Sequence, residues 1–326
     1  MINTRRYYTG LIYFIVMILL SILRVVFALG ISDNWSDNNT DIIYTLISQV
    51  LCMGIVPFGL YIVLVLKREN KPAKQIFSDF GYRWPSLPVV ILTFIAGAVF
   101  YYLTIGISSI WTTILTIIGY TGIESVGTIY TSSSDLFLWI IITACLPGIF
   151  EEFSHRGLLI NTYEESSDGE AIVISALLFA LMHQDIRQFG YALVGGFVIA
   201  LFFVKSRSII PPMILHFSNN AINCILDYSS QTGGTIGKLY SQFFGLFNNF
   251  FMILLLILSW IVAGVLIFFI LIQVDRITSK KFDTSPTWQD GFNFKFKFRK
   301  EDIFLYSALI LGVLTTVFSL IWSLMR

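Results

Sequence analysis

The sequence contains three histidines, and all of them fall between residues 155 and 216, in company with carboxylates and carboxamides. The first sits in Ile149-Phe150-Glu151-Glu152-Phe153-Ser154-His155-Arg156-Gly157. The second ends Phe179-Ala180-Leu181-Met182-His183, and the third opens His216-Phe217-Ser218-Asn219-Asn220. This set suits amide hydrolysis. Glu151, taken out of bulk water, becomes a competent general base for a water molecule. His183 can hold that water or protonate the leaving amine. His216 and Asn220 can donate hydrogen bonds to a developing oxyanion. The same groups allow a second chemistry, because Glu151, His183 and His216 are acceptable zinc ligands that leave a position open for water. No HExxH is present, and no Ser or Cys sits in a recognisable nucleophile setting, so water is the nucleophile in either case.

The spacing says how helices would present these groups. Glu152 and Arg156 are i,i+4 and can neutralise each other on one face. Phe179 and His183 share that spacing, as do His216 and Asn220, whereas Glu151 points about 100° around the helix from Glu152. Each residue also has a plainer reading. Glu152–Arg156 reads as a structural ion pair, Phe179 as packing that shapes a cavity, and His155 as a hydrogen-bonded helix-end histidine. Asn219 falls on another face. Arg24, inside the first apolar run, either snorkels to the surface or pairs with a carboxylate.

The surrounding chain is built for lipid. Of 326 residues, 56% are hydrophobic and only 13% charged, with 30 Phe, against roughly a quarter charged in soluble domains. A net charge of +1 excludes a nucleic-acid-binding role. Cys52, Cys145 and Cys224 lie singly in apolar runs, which makes a disulfide framework or zinc knuckle unlikely and favours small buried hydrophobes. Runs of about 20 apolar residues, the length that spans a bilayer, cover 8–30, 41–66, 88–111, 136–160, 171–185, 190–204, 209–228, 246–273 and 303–324, with the fifth and sixth short. The first run is too long for a signal peptide and reads as a retained span. The expected fold is therefore all-α: a polytopic transmembrane bundle of eight to nine spans with an intramembrane polar cavity.

Most of the 21 Lys and Arg fall in the N-terminal segment, 67–83, 205–207 and 276–300, which predicts a cytoplasmic N-terminus. The outer loop 31–40, with Asp33 and Asp37 and no cation, fits. Counting from these span ends places Glu151, His183 and His216 roughly 10–18 Å beneath the cytoplasmic surface. That depth predicts one cavity reached from the cytoplasm. Segment 274–302 alternates Phe292, Phe294, Phe296 and Phe298 with Lys295, Lys297 and Arg299, a period-two pattern expected of a short amphipathic strand or interfacial anchor.

The three ordered motifs, Glu151-Glu152-xxx-Arg156, Phe179-xxx-His183 and His216-xxx-Asn220, resemble the CPBP family of intramembrane proteases, which includes the type II CAAX prenyl endopeptidases. The resemblance spans about 136–228 of a single membrane domain, with helices 1–111 and 246–326 flanking it. It implies a helical bundle around a conical cavity and peptide hydrolysis within a substrate or near its C-terminus. It assigns water activation to Glu151 with His183, the oxyanion side to His216 and Asn220, and support to Glu152 and Arg156. A metal-free mechanism is favoured, since Asn220 and the second Glu are not needed as ligands; zinc is the alternative cofactor. Family members with intact motifs include bacteriocin self-immunity factors, so non-catalytic binding is a competing reading. Transport is disfavoured by the lack of an inverted repeat. The expected setting is a bacterial plasma membrane, with a peptide or membrane-protein substrate such as a leader or signalling peptide. The convergence itself is testable: the Glu151 carboxylate must lie within about 10 Å of at least one imidazole, the reach of a hydrogen bond or a water bridge.

Overall fold

The computed structural model describes residues 3–30, 37–120, 128–163, 168–284 and 298–325. The alternating Phe/Lys stretch at 292–297 and Asp33 lie outside the described residues. Among the described residues, eleven helices follow one another: α1 (Thr4–Gly30), α2 (Asn39–Leu66), α3 (Gln75–Asp79), α4 (Leu87–Ile117), α5 (Ser133–Tyr163), α6 (Asp168–Met182), α7 (Ile186–Ser206), α8 (Ile210–Gln231), α9 (Thr235–Gly245), α10 (Phe250–Lys281) and α11 (Lys300–Leu324). Seven of them, α1, α2, α4, α5, α7, α10 and α11, are long and apolar enough to cross a bilayer. The expected eight or nine is reached only by counting α6 and α8. Helix α6 has 15 residues, most of them buried, so neighbouring helices rather than lipid satisfy it. Helix α8 carries His216, Asn219, Asn220 and Asn223, too polar a set for a lipid-facing span. The sixth run, expected to be short, is the 21-residue α7.

Helices α2 and α5 are interrupted by π-helical stretches. Ile47–Ile55 in α2 precedes Pro57, and Ile141–Cys145 in α5 precedes Pro147. Proline has no N–H for the carbonyl four residues back and crowds it, so the helix widens there. A third π stretch, Phe153–Ile160, follows Glu152 directly. Every residue from Glu151 to Ile160 is buried, which a helix with one lipid-facing side would not allow. Helix α5 is thus the central helix of the bundle.

The termini are joined by a buried ionic cluster. Arg6 on α1 donates from Nε and Nη2 to Asp302 at 3.1 and 2.9 Å, and its guanidinium lies 4.0 Å from the centre of the Tyr163 ring. Glu170, at the start of α6, accepts from Arg299 at 3.1 Å and stands 3.6 Å from Arg6. A second tie is in the adjoining loop, where Arg5 pairs with Glu69 and holds its carboxyl down at about 2. Arg6→Ala would leave Asp302 buried beside the more distant Arg299, a type of loss that costs about 3–5 kcal/mol. The expected outcome is a clearly lower unfolding temperature for the purified protein in detergent. An unchanged transition would mean that the cluster does not hold α1 to α11.

Candidate active site

The central feature is the Glu152 carboxylate. It is fully buried, and its Oε1 accepts from Arg156 Nη1 at 3.0 Å and pairs with His216 Nδ1 at 2.7 Å. A carboxylate paired with a guanidinium accepts rather than donates, so His216 Nδ1 carries the proton and Nε2 faces the cavity. That Nε2 stands 4.0 Å from Glu151 Oε2, well inside the convergence limit. The other Glu151 oxygen, Oε1, accepts from Gln49 Nε2 at 2.6 Å. His183 is fixed in the same sense as His216: its Nδ1 donates to the Phe179 carbonyl at 2.8 Å, leaving Nε2 free.

Second-layer contacts fix this arrangement. Arg156 Nη2 donates to Gly196 O at 2.8 Å. A Cβ at Gly196 would meet the Phe179 ring at 3.0 Å and Ala176 Cα at 3.2 Å, so only glycine lets α7 approach this closely. Phe179 lies among the cations and imidazoles, with Arg156 4.7 Å from its ring centre and His155, His183 and His216 edge-on at 5.2, 5.3 and 5.7 Å. It shapes the cavity as expected. His183 itself lies in the turn just past α6, where Gln184 adopts a left-handed φ of 51°. Arg24 reaches from α1 to donate to the carbonyls of both His183 and Gln184. Among the described residues it satisfies carbonyls exposed by the end of α6 and also interacts electrostatically with the Asp185 carboxylate. Asp185 then caps α7. Burial pushes its carboxyl up, but hydrogen bonds from the Arg187 side chain and backbone outweigh this and hold it below the usual range.

Asn220 shows what the prolines do. Pro147 has no N–H to offer Thr143 O, four residues back, and Asn220 Nδ2 donates to that oxygen at 2.8 Å. Asn219 donates to Asn220 Oδ1 at 3.0 Å. With its oxygen engaged and one N–H committed, Asn220 has one N–H left for the cavity. In the same way, Met53 O, four residues before Pro57, accepts from Ser154 Oγ at 3.0 Å.

Glu151, Phe179, His183, His216 and Asn220 all line one cavity of about 410 Å³. Three further residues belong to it. Gln49 was not singled out, because a lone Gln in a span carries no spacing signal. Asn219, set aside on spacing, also lines the wall. His155 does too; it is not at a helix end but mid-helix, with Nδ1 3.4 Å from Tyr13 OH. The lining comes from α2 (Tyr44 to Met53), α5 (Thr143 to His155), α7 (Gln188 to Ile199) and the middle of α8, with Leu20 of α1 and Phe100 and Thr104 of α4. Helix α5 runs on to Tyr163 and α6 begins at Asp168, so Glu151 and His183 lie roughly 18 and 22 Å from that end of the bundle, at and beyond the far limit of the expected depth. Among the described residues, no group of three or more His, Cys, Asp or Glu side chains is placed to hold a metal ion.

Arg156→Ala removes the guanidinium from two fully buried contacts and strands Glu152. Expected is a drop in accumulated protein together with loss of activity, measured by quantitative immunoblot of membranes. Normal abundance with normal activity would refute the supporting role.

No curated protein and no solved structure matches the chain. Residues 133–222, which contain Glu151, Glu152, Arg156, Phe179, His183, His216 and Asn220, match the family model described as Type II CAAX prenyl endopeptidase Rce1-like, the family to which the three ordered motifs point.

Proposed function

We propose that this protein is an intramembrane endopeptidase in which Glu151 activates water against a peptide bond of a membrane-associated substrate. The observation that carries this reading is the convergence of the Glu151 carboxylate, two imidazole Nε2 atoms and one free Asn220 N–H on a single cavity. Gln49 holds one Glu151 oxygen and leaves the other to take the water proton as the hydroxide oxygen bonds to the carbonyl carbon. His183 Nε2 accepts from the same water and orients it. The carbonyl oxygen becomes an oxyanion beside Asn220 and His216. Asn220 donates to it through its free N–H. The proton taken by Glu151 passes to the amine nitrogen, the C–N bond breaks, and the carboxylate is restored with an acid and an amine as products. No step is routed through a metal. The basic loops we place in the cytoplasm, with the N-terminus on the same side.

The test is turnover of a quenched fluorescent peptide by purified protein in lipid. Glu151→Gln should lower the rate by about 10²–10⁴, and Asn220→Ala by about 10²–10³. Gln49→Leu, which leaves a carboxylate oxygen without its donor, should cost about tenfold or more in turnover. Elemental analysis should find no stoichiometric zinc. About one zinc per chain with a mild Asn220→Ala effect would reassign Glu151, His183 and His216 as ligands. A cellular phenotype that survives Glu151→Gln would favour a non-catalytic immunity or binding role.

A further inference from the structure

Beside the catalytic cavity lies a second one of about 590 Å³. The two share Thr104, Thr143, Tyr191, Asn219 and Asn220 as walls, so they adjoin at the proposed oxyanion donor. The second is lined further by Tyr101, Ser108, Ser109, Thr112, Asn223 and Tyr240. Nearly every lining group is a hydroxyl or a carboxamide. No Lys or Arg lines either cavity, and no Asp or Glu lines the second.

Side chains of this kind are costly in the apolar part of a bilayer unless they face water or a polar occupant. An extended peptide is such an occupant. Each of its residues carries an N–H and a C=O that lipid cannot satisfy, and neutral hydroxyls and amides can pair with both, whatever the side chains. The run from Tyr101 to Thr112 on α4 is roughly 16 Å long at 1.5 Å per residue, enough for about five residues of extended chain at 3.3 Å each. With no Lys or Arg on the walls, a free terminal carboxylate or an acidic side chain has no partner, and Asp227, which interacts electrostatically with the wall residues Tyr101, Cys224 and Tyr240, disfavours either further.

Resting on the reading of Glu151 as the hydrolytic base, we infer that this second cavity is the substrate groove, and that it takes an extended stretch of about five residues, free of carboxylates and internal to a longer chain. The protein would then cut within a segment rather than recognise a charged end.

The experiment uses the full-length Glu151→Gln protein in nanodiscs, so that binding is read without hydrolysis. The probe is an N-acetylated, C-amidated octapeptide of Ala, Val, Leu and Ser carrying a photoreactive leucine. Cross-links are expected on 101–112 of α4 and 219–224 of α8. The same peptide with a free C-terminal carboxylate, or with Glu near its centre, should compete at least tenfold less well. Ser109→Arg, at an exposed wall position, should reverse the first preference by weakening the neutral probe and strengthening the free-carboxylate one. Asn223→Arg serves the same end if the first variant folds poorly. Cross-links elsewhere, or equal competition by charged and neutral peptides, would overturn the groove. If wild-type protein cleaves the probe but neither Arg variant alters its binding, the groove fails and the protease reading stands. If the probe binds as expected but is never cleaved, the reverse holds.

Discussion

Everything at this site depends on placing one carboxylate, Glu152, where no solvent reaches it. A lone buried carboxylate is several kcal/mol too expensive to persist. Here Arg156, one helical turn on, supplies the counter-charge, and His216 supplies a further hydrogen bond from another helix. The arrangement constrains its neighbours in turn. Arg156 needs an acceptor for its second nitrogen and finds it in the Gly196 carbonyl; that carbonyl can come close only because position 196 has no side chain. Phe179 then closes the pocket, with its ring against the guanidinium. Thus α5, α6, α7 and α8 are all located with respect to a single negative charge.

The two prolines contribute by subtraction. Each deletes an N–H that would have satisfied a carbonyl inside the membrane, and each freed carbonyl is taken up by a side chain at or beside the site: Thr143 O by Asn220 and Met53 O by Ser154. An unsatisfied carbonyl in this setting is costly, so these bonds orient Asn220 more firmly than packing alone would. The widened turns also change which residues face inward. Gln49 lies in the π stretch before Pro57, and it is there that α2 presents a donor to Glu151.

The parts of this site legible in the sequence were those with a local period. Glu152–Arg156 pairs as its i,i+4 spacing foretold, and the ordered motifs agree with the family match over 133–222. The parts that were not legible depend on contacts between distant segments. Arg24 could not be assigned because its partners are backbone carbonyls 159 and 160 residues away, which no side-chain pattern records. Gln49 gave no signal for a related reason. The depth of the site was underestimated because it was counted from span ends, and those ends shift by a turn when helices continue past their apolar residues, as α5 does to Tyr163. For α6 and α8, neighbours replace lipid, so apolar length was a poor guide to whether they traverse the bundle.

The charge balance of the finished site gives a reason for its chemistry. Two carboxylates, Glu151 and Glu152, face one guanidinium, Arg156, among the described residues at the site. With both imidazole Nδ1 atoms committed to hydrogen bonds, the site holds one more carboxylate than guanidinium in a medium of low dielectric. Gln49 softens that excess with a dipole and does not neutralise it. The smallest cation able to enter is a proton, and the nearest source in a hydrated cavity is water. In the proposed mechanism, taking a proton from water would neutralise Glu151 and move the charge, as hydroxide adds to the carbonyl carbon, to an oxyanion beside Asn220 and His216. On this account Glu152 does more than hold Arg156. In the proposed mechanism its carboxylate, close to Glu151, would add to the pull of that residue on a proton of water.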